Sequence, residues 1–257
     1  MRRAGHLALD AAGQVLRRAF RTDLRIDDKG GPGAYDPVTE ADRAAEQAIR
    51  AVLRRETPDI GIFGEEQGHE GPAEGAGTGL WIVDPIDGTR SFMSGFPTWG
   101  TLLGLRRGAA MVWGAMDQPV LGERFEGDGR TSRLGNRPLR ARPCSKLDDA
   151  VLYATTPDMF DEPSWRAFDT LAGRVRLRRF GGDCYAYAML AFGCIDLVVE
   201  AGLSPYDIAP LVPILEGAGA TVTTWTGGPA HEGGRIVAAA TAELHAAACE
   251  VLASAGT

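Results

Sequence analysis

The sequence predicts a mixed α/β fold in which helices and strands pack in layers. Three observations support it: helical periodicity in the first third, short turn-separated strands in the middle, and alternating strands and helices in the second half. At 257 residues, with 44% hydrophobic and 24% charged residues, the chain can bury a full core. We therefore expect one large domain or two closely packed halves.

The first half predicts two helices and then an antiparallel sheet. Apolar residues recur at helical spacing over residues 7–20, and residues 39–55 form a second helix whose Thr39 and Asp42 resemble a capping box. The glycine-rich residues 68–79 are typical of a flexible surface connection. Apolar or alternating runs joined by turn residues predict the sheet over residues 100–105, 109–116 and 120–127.

The second half alternates strands with helices, which is typical of an α/β unit. The predicted strands are residues 150–156, 174–180, 195–201, 221–225 and 235–240. The predicted helices are residues 163–173, 183–192, 205–217 and 242–255. A composition shift near residues 142–149 divides the chain into an α+β half, residues 1–143, and an α/β half, residues 144–257.

Charge and cysteine content exclude several classes of protein. A formal net charge of −7 argues against a general nucleic-acid binder, because nucleic-acid binding requires a basic face. The apolar run at residues 80–83 is far too short to span a membrane. Without a secretory signal pattern at the start, we expect a cytoplasmic protein. Its cysteines show no metal or redox spacing, which predicts reduced core thiols.

The stretch WIVDPIDGT, residues 81–89, ends an apolar run with two aspartates, Asp84 and Asp87. Pro85 has no amide hydrogen, so we expect the chain to leave the sheet there. If Gly88 and Thr89 then open a helix or tight turn, their amides form an anion site. Carboxylates would repel an anion unless divalent cations lie between them, and Mg²⁺ takes oxygen ligands from carboxylates and phosphate together. The alternative, two aspartates that cap a helix, leaves one of them unexplained.

Two further acidic positions strengthen the metal hypothesis. Glu65 follows an apolar run and a glycine, and Asp207 begins an apolar helix, where an acidic residue is also common without a ligand. Together Glu65, Asp84, Asp87 and Asp207 supply the four negative charges that two Mg²⁺ ions would balance.

Four successive motifs resemble the signatures of the inositol monophosphatase superfamily of Mg²⁺-dependent, lithium-sensitive phosphatases. The motifs are DPVTEAD (36–42), GEE (64–66), WIVDPIDGT (81–89) and PYDIAPLVPILEGAGATVTTWTGG (205–228). They lie in the same order as in that superfamily, and the resemblance covers essentially the whole chain. It implies a layered α-β-α-β-α sandwich, commonly a homodimer, that acts on a small-molecule phosphate monoester.

The resemblance also implies two or three Mg²⁺ ions per subunit and hydrolysis by metal-activated water. The first ion would be held by Glu65, Asp84 and the Ile86 carbonyl, and the second by Asp84, Asp87 and Asp207. A third, weaker ion would lie near Glu65. The implied catalytic residues are Asp42, Thr89 and Glu65, of which Asp42 and Thr89 would orient the attacking water.

Within the superfamily, the chain resembles the histidinol-phosphate phosphatase branch. This resemblance lies in residues 92–105, 116–124 and 178–190 and in Tyr206, where the wider family has tryptophan. Asp183 and Glu200 could hold the ammonium and imidazole of histidinol, although Asp183 could instead be a helix N-cap.

Phosphate contacts are expected from the region of the two aspartates and from two arginines. Arg179 could receive the phosphate or pair with Asp183, and Arg90 could do the same beside Thr89. The full set of implied substrate-binding residues is Asp87, Gly88, Thr89, Arg90, Arg179, Asp183 and Glu200.

Three functional hypotheses follow. The main one is hydrolysis of L-histidinol phosphate in histidine biosynthesis. The alternative within the enzyme class is an inositol-1-phosphate or broad sugar-phosphate phosphatase. A third, from a different class, is a non-catalytic partner of the transcription machinery, which the complete set of metal-ligand positions disfavours.

Overall fold

The computed structural model describes residues 1–23, 25–28, 37–72 and 79–255. Over these ranges the chain forms five layers, in which two β-sheets alternate with three layers of helices. The layered α/β architecture expected from the sequence is therefore present. None of the helices in these ranges combines the length and apolarity needed to cross a bilayer.

The α-helices follow the periodicity of the sequence closely. They are α1 (Arg2–Ala19), α2 (Glu40–Glu56), α3 (Thr89–Ser94), α4 (Glu162–Ala172), α5 (Asp183–Phe192), α6 (Pro205–Ile208), α7 (Val212–Gly217) and α8 (Ala242–Ala255). The capping box expected at the start of α2 is formed: Thr39 accepts from the Ala41 amide, and the Asp42 carboxylate accepts from the Thr39 amide.

A short ribbon and a large sheet form the first half. Strands β1 (Ile26–Asp28) and β2 (Pro37–Thr39) pair as an antiparallel ribbon. The large sheet has eight strands in the order β10-β9-β8-β7-β6-β5-β3-β4, and only β3 and β5 run parallel. Its strands are β3 (Gly61–Gly64), β4 (Gly68–Glu70), β5 (Leu80–Asp87), β6 (Gly100–Arg107), β7 (Ala110–Gln118), β8 (Glu123–Gly127), β9 (Ser132–Leu134) and β10 (Arg137–Pro138).

The second half contains a five-stranded mixed sheet with the order β12-β11-β13-β15-β14. Its strands are β11 (Val151–Ala154), β12 (Leu177–Phe180), β13 (Leu197–Leu203), β14 (Thr221–Thr224) and β15 (Gly234–Ala239). Strands β12, β11 and β13 are parallel, as expected when helices connect them, whereas β15 pairs antiparallel with both of its neighbours.

Three large apolar cores fill the spaces between neighbouring layers. Helices α1 and α2 pack on one face of the large sheet around Trp81 and Trp99, while α4 and α8 cover the outer face of the small sheet around Phe168. Helices α5, α6 and α7 lie between the two sheets and join them through a continuous apolar core. The site described below lies where this middle layer meets the ends of strands from both sheets.

Three expectations from the sequence need correction. The chain does not leave the sheet at Pro85: an irregularity between Asp84 and Asp87 excludes the proline from the ladder, which resumes at Asp87. The helix expected over residues 205–217 is divided into α6 and α7, because Pro210 and Pro213 lack the amide hydrogens that a continuous helix requires.

The third correction concerns the glycine-rich stretch at residues 68–79. Its first residues form strand β4, which pairs with β3 through a three-residue turn. Gly68, the first residue of β4 after this turn, has a φ of +63°, a left-handed conformation that glycine adopts readily. Residues 73–78 of the stretch lie outside the described ranges. The cysteines are free, but the expectation that all of them lie in the core is wrong: Cys144 and Cys184 are buried, Cys249 is half-buried and Cys194 is exposed.

Candidate active site

A polar cavity of about 220 Å³ opens between the ends of strands from both sheets. It is lined by Glu65, Asp84, Ile86, Asp87, Gly88, Thr89, Arg90, Thr155, Met159, Asp183, Tyr187, Glu200, Leu203 and Asp207. We call Glu65, Asp84, Asp87 and Asp207 the acidic centre, and Thr155, Asp183, Tyr187 and Glu200 the far wall.

The acidic centre brings together carboxylates from three separate segments. Carboxylate oxygens of Asp84, Asp87 and Asp207 lie within 4.8 Å of one another, which is close enough for a shared metal ion. Glu65 follows strand β3, which runs parallel to β5, so it reaches the same edge of the sheet as Asp84. The four positions that the sequence suggested therefore converge on one cavity.

Backbone amides hold three of these carboxylates in place. Asp84 accepts from the Ile86 amide at 3.0 Å, within the bulge that Pro85 creates. Asp87 accepts from the Cys184 amide at 2.9 Å, and Asp207 accepts from the Ser204 amide at 2.7 Å. Each bond leaves other carboxylate lone pairs available, since an ionised carboxylate offers about four acceptor positions.

Burial and mutual repulsion make the acidic centre a poor place for bare negative charge. Burial raises the pKa of Asp84 and Asp87 well above the usual value, and neighbouring carboxylates add to the shift. Burial also raises the pKa of Asp207 to about 7, with Glu65 and Glu200 contributing. The raised pKa values mean that negative charge on these side chains is unfavourable unless a cation neutralises it. An all-oxygen donor set under this repulsion fits a hard divalent cation.

Asp42 and Thr89 form a hydrogen-bonded pair beside the acidic centre. The buried Asp42 carboxylate accepts from the Thr39 amide and hydroxyl through one oxygen, at 2.8 and 2.5 Å. Its other oxygen faces the Thr89 hydroxyl at 3.3 Å, and that hydroxyl also lies 3.0 Å from the Ile86 carbonyl. The α2 capping box thus fixes the orientation of Asp42 and holds it toward Thr89.

Gly88 allows the backbone to approach the far wall closely. Its φ is +85°, and a Cβ at this position would lie 2.9 Å from side-chain atoms of Asp183. Helix α3 begins directly afterwards at Thr89, and amides in the first turn of a helix have no intrahelical acceptor. The exposed Arg90 lies in the same turn and lines the cavity. These features suit the recognition of an anionic group.

The far wall contributes two further buried carboxylates. The Ser91 and Thr98 hydroxyls donate to Asp183 at 2.6 and 2.9 Å. Glu200 accepts from the Thr155 amide at 2.7 Å and from the Tyr187 hydroxyl at 2.9 Å. Burial raises the pKa of both carboxyl groups, and these hydrogen bonds oppose the shift.

Asp183 does not cap its own helix. Helix α5 begins at Asp183 itself, after Gly182, and no side-chain capping bond is made there. Instead, Asp183 has a φ of +44°, and its carboxylate is held from the first half of the chain by Ser91 and Thr98. Such a backbone conformation is uncommon outside glycine, although aspartate tolerates it better than most residues.

The remaining proposed site residues divide between cavity and surface. Arg179 is exposed on the edge strand β12 and is not among the residues that line the cavity. Four lining residues were not anticipated: Thr155, Met159, Tyr187 and Leu203. No local motif marks them: Tyr187 comes from α5, and Thr155, Met159 and Leu203 come from the segments at the ends of β11 and β13.

Comparisons with known proteins agree with this geometry. A model described as the inositol monophosphatase family matches residues 2–257. The chain is 43% identical over 224 residues to the bifunctional phosphatase IMPL2 of Arabidopsis thaliana, a match that covers 87% of this chain and 64% of that protein. The chain thus spans less than two thirds of this relative's length.

Two other relatives have different names. A histidinol-phosphatase of Chlorobaculum parvum is 35% identical over 219 residues, with 84% of this chain and 80% of that protein covered. The Nus factor SuhB of Pseudomonas aeruginosa is 35% identical over 245 residues, with 91% and 90% covered. Among solved structures, an inositol monophosphatase from Zymomonas mobilis gives a TM-score of 0.86 at 39% identity and covers 98% of this chain and 96% of that one.

Proposed function

Because this chain belongs to the inositol monophosphatase family, we propose that it is a Mg²⁺-dependent phosphomonoesterase that hydrolyses L-histidinol phosphate to L-histidinol and phosphate. One observation carries the choice of substrate: two buried carboxylates, Asp183 and Glu200, line the same cavity as the acidic centre. The identity to a histidinol-phosphatase supports it as well. We further propose that the protein acts as a cytoplasmic homodimer.

The residues present fit a Mg²⁺ site. Glu65, Asp84 and the Ile86 carbonyl would hold one ion, and Asp84, Asp87 and Asp207 a second, all through the oxygen atoms that Mg²⁺ prefers. A third could lie near Glu65. When bound, Mg²⁺ neutralises negative charge on the phosphoryl oxygens and on the leaving alkoxide.

Thr89 and Asp42 position the attacking water. The Thr89 hydroxyl can accept a hydrogen bond from a water on the cavity side while it donates to Asp42. Thr39 holds Asp42 in place, so the Thr89 hydroxyl lies between two fixed acceptors, the Asp42 carboxylate at 3.3 Å and the Ile86 carbonyl at 3.0 Å. Its single proton goes to one of them, which leaves its lone pairs for a water on the cavity side. Glu65 lies on the same side of the cavity and shares in this arrangement.

The phosphate and the head group are recognised by different residues that line the same cavity. Gly88, Thr89 and Arg90 bind phosphate oxygens beside the acidic centre, and Asp87 lies against the leaving group. Asp183 and Glu200 accept hydrogen bonds from the ammonium and imidazole of histidinol. A neutral polyol would leave these carboxylates desolvated without a compensating cation, which costs binding free energy.

A second candidate is the hydrolysis of inositol 1-phosphate or sugar phosphates, which the likeness to the inositol monophosphatase from Zymomonas mobilis favours. A non-catalytic role with the transcription machinery is a third candidate, favoured by the identity to SuhB. The presence of all four carboxylates in the acidic centre argues against a purely non-catalytic role, because such a role would not require four converging carboxylates.

A substrate panel tests the proposal. Phosphate release with Mg²⁺ is measured on histidinol phosphate, inositol 1-phosphate, fructose 1,6-bisphosphate and 3′-phosphoadenosine 5′-phosphate, with Asp87→Asn as the control for contaminating phosphatases. We expect kcat/KM for histidinol phosphate to exceed the others by about tenfold or more, as one charge-assisted contact would provide. A higher kcat/KM for inositol 1-phosphate would overturn the choice of substrate but leave the phosphatase assignment intact.

A further inference from the structure

Helix α2 carries a row of buried charged side chains on one face. Asp42, Glu46 and Arg50 recur every fourth residue, and their exposed fractions are 1%, 0% and 0%. Charged residues are almost never fully buried unless they are paired, because removal from water is costly. Asp42 is explained by its contact with Thr89. Glu46 and Arg50 lie deeper along the helix and have no place in the site as described so far.

Glu46 binds the turn that carries Glu65. One carboxylate oxygen accepts from the Glu66 amide at 2.8 Å, and the other accepts from the Gln67 amide at 3.1 Å. These are the two peptide groups that directly follow Glu65 in the turn between β3 and β4. The turn that carries one proposed metal ligand is therefore held by a rigid, buried side chain of a neighbouring helix.

Arg50 closes the same turn from its other side. Its guanidinium donates to Glu46 at 2.7 Å, to the Gly68 carbonyl at 2.6 Å and to Glu70 at 3.0 Å. It thus connects helix α2 to the first residue of strand β4, directly after the turn. Glu46 therefore holds the amides of the turn, and Arg50 holds Gly68, the residue that follows it.

Gly64 lies in close contact with the side chains of Glu46 and Arg50. A Cβ on Gly64 would lie 2.4 Å from a Glu46 carboxylate oxygen and 2.8 Å from an Arg50 nitrogen. Both charged groups are locked by the hydrogen bonds above and cannot easily move aside. The glycine that precedes the two glutamates is thus required by contact with the buried pair.

We propose that Glu46 and Arg50 are positioning residues that hold the Glu65 turn in the geometry needed for Mg²⁺ and thereby set the Mg²⁺ affinity of the acidic centre. This role rests on the proposed function, because it assumes that Glu65 is a ligand. It differs from general stabilisation of the core: the pair's contacts fall on the peptide groups next to Glu65, and residues that support a ligand typically affect metal affinity.

The same hairpin offers a matched control. Arg54, one turn further along α2, makes an ion pair with Glu70, but its side chain is 52% exposed. Arg54→Met removes a charged contact between α2 and β4 without touching the turn. Glu46→Gln removes the charge and replaces one acceptor oxygen with a donor. Because this change leaves the buried Arg50 with only the partly exposed Glu70 as a partner charge, the double change Glu46→Gln with Arg50→Met provides a variant without a weakened buried ion pair.

Three measurements on the whole chain test this role: Mg²⁺ affinity, hydrogen exchange and phosphatase activity. Mg²⁺ alone is titrated by calorimetry into chelator-treated protein, and hydrogen exchange of residues 64–70 is followed without metal. In the Glu46→Gln and double variants we expect Mg²⁺ affinity to fall by about tenfold or more and exchange in this turn to rise. Phosphatase activity should recover to near the wild-type kcat at saturating Mg²⁺. Arg54→Met should match the wild type in all three.

The Asp84→Asn variant separates this role from the proposed function. If Asp84→Asn removes Mg²⁺ binding while a folded double variant binds Mg²⁺ within about twofold of the wild type, the role of Glu46 and Arg50 is refuted and the proposed function stands. If Asp84→Asn binds Mg²⁺ as the wild type does, the acidic centre is not the metal site, and both the proposed function and this role fail.

Discussion

The acidic centre and the far wall share one cavity but are built differently. In the acidic centre, Asp84 and Asp207 accept from amides two or three residues away along the chain. In the far wall, Asp183 accepts from side chains of the first half, and Glu200 accepts from two elements of the second half. The acidic centre therefore depends partly on local turns, although Asp87 accepts from the distant Cys184 amide, whereas the far wall depends on tertiary packing throughout.

This difference separates the tasks of the two regions. The acidic centre concentrates carboxylates so closely that burial and repulsion raise the pKa of Asp84 and Asp87, a state that cations relieve. Each far-wall carboxylate instead accepts from two protein donors and lines the part of the cavity where the head group of the substrate would lie. We expect the first region to determine the rate of hydrolysis and the second to determine the choice of alcohol.

The largest expected effect is in the acidic centre. Asp87→Asn should lower kcat by about 10³-fold or more, because it removes a charge that holds the cation at the reacting phosphate. The fold should survive, since the asparagine oxygen can still accept from the Cys184 amide and the change relieves repulsion. Steady-state kinetics at saturating Mg²⁺ measure the fall in kcat, and the melting temperature shows whether the fold survives. Near-normal activity in a folded variant would refute the metal role of Asp87.

The far wall should respond in KM rather than kcat. Asp183→Asn and Glu200→Gln should each raise KM for histidinol phosphate by about tenfold to a hundredfold, the equivalent of a lost charge-assisted hydrogen bond. Asp183→Asn keeps one oxygen for the Ser91 and Thr98 hydroxyls. Glu200→Gln keeps one oxygen for the Thr155 amide, and the Tyr187 hydroxyl can accept from the new amide group, so the fold should persist in both variants. The metal ligands are untouched, and kcat should largely survive.

A neutral substrate provides the control for this second prediction. With glycerol 2-phosphate, the same two variants should change KM by about threefold or less, because no cationic group is lost. If both substrates suffer equally, then Asp183 and Glu200 are part of the catalytic scaffold. The division of tasks between the two regions would then be wrong.

When the metal is removed, burial and repulsion in the acidic centre should make the melting temperature depend on pH. The pKa of Asp207 is raised to about 7 in the folded chain from the ordinary 3.8, so the folded state binds this proton more tightly than the unfolded state. Its stabilising contribution is full below the unfolded pKa and is lost as pH rises through about 7. In chelator, the melting temperature should therefore fall by several degrees from pH 5 to pH 8.

Mg²⁺ and one substitution make this prediction specific. Added Mg²⁺ should raise the melting temperature more at pH 8 than at pH 5, because it binds the deprotonated carboxylates. Asp207→Asn should reduce the pH dependence in chelator, because one of the titrating carboxyl groups is gone while the Ser204 amide keeps an acceptor. A chelated wild-type protein whose melting temperature is constant or rises over this range would contradict the assignment.

The same difference explains what the sequence could predict. The acidic centre could be predicted from the sequence, because each of its residues follows an apolar strand or opens a helix and lies near a glycine or proline. Periodicity indicated a mixed α/β fold, and the five-layer arrangement came from the family resemblance alone. By contrast, Thr155 and Tyr187 become far-wall residues only through packing between the small sheet and α5, which no local pattern encodes.

Helix α2 shows a second limit of prediction from the sequence. Glu46 and Arg50 have the spacing of an ordinary solvated ion pair, and their complete burial depends on strands β3 and β4. One signal was available: the row of residues 42, 46 and 50 borders the apolar row of residues 41, 45, 49 and 53. The bulge at Pro85 was missed for a different reason, because a proline excluded from a ladder does not end the strand.

The smallest expected effect distinguishes the two arginines proposed for substrate binding. Arg90 lines the cavity in the first turn of α3, whereas Arg179 is exposed on edge strand β12 and outside the lining. Arg90→Gln should raise KM for histidinol phosphate by about threefold to tenfold, because an exposed charge contact with phosphate is worth roughly 1 kcal/mol. Arg179→Gln should change KM by less than about twofold. Raised salt should narrow the difference between Arg90→Gln and the wild type, since screening weakens exposed charge contacts. A larger effect at Arg179 than at Arg90 would mean that β12 moves toward the cavity when substrate binds, and the far wall would then extend to the edge of the small sheet.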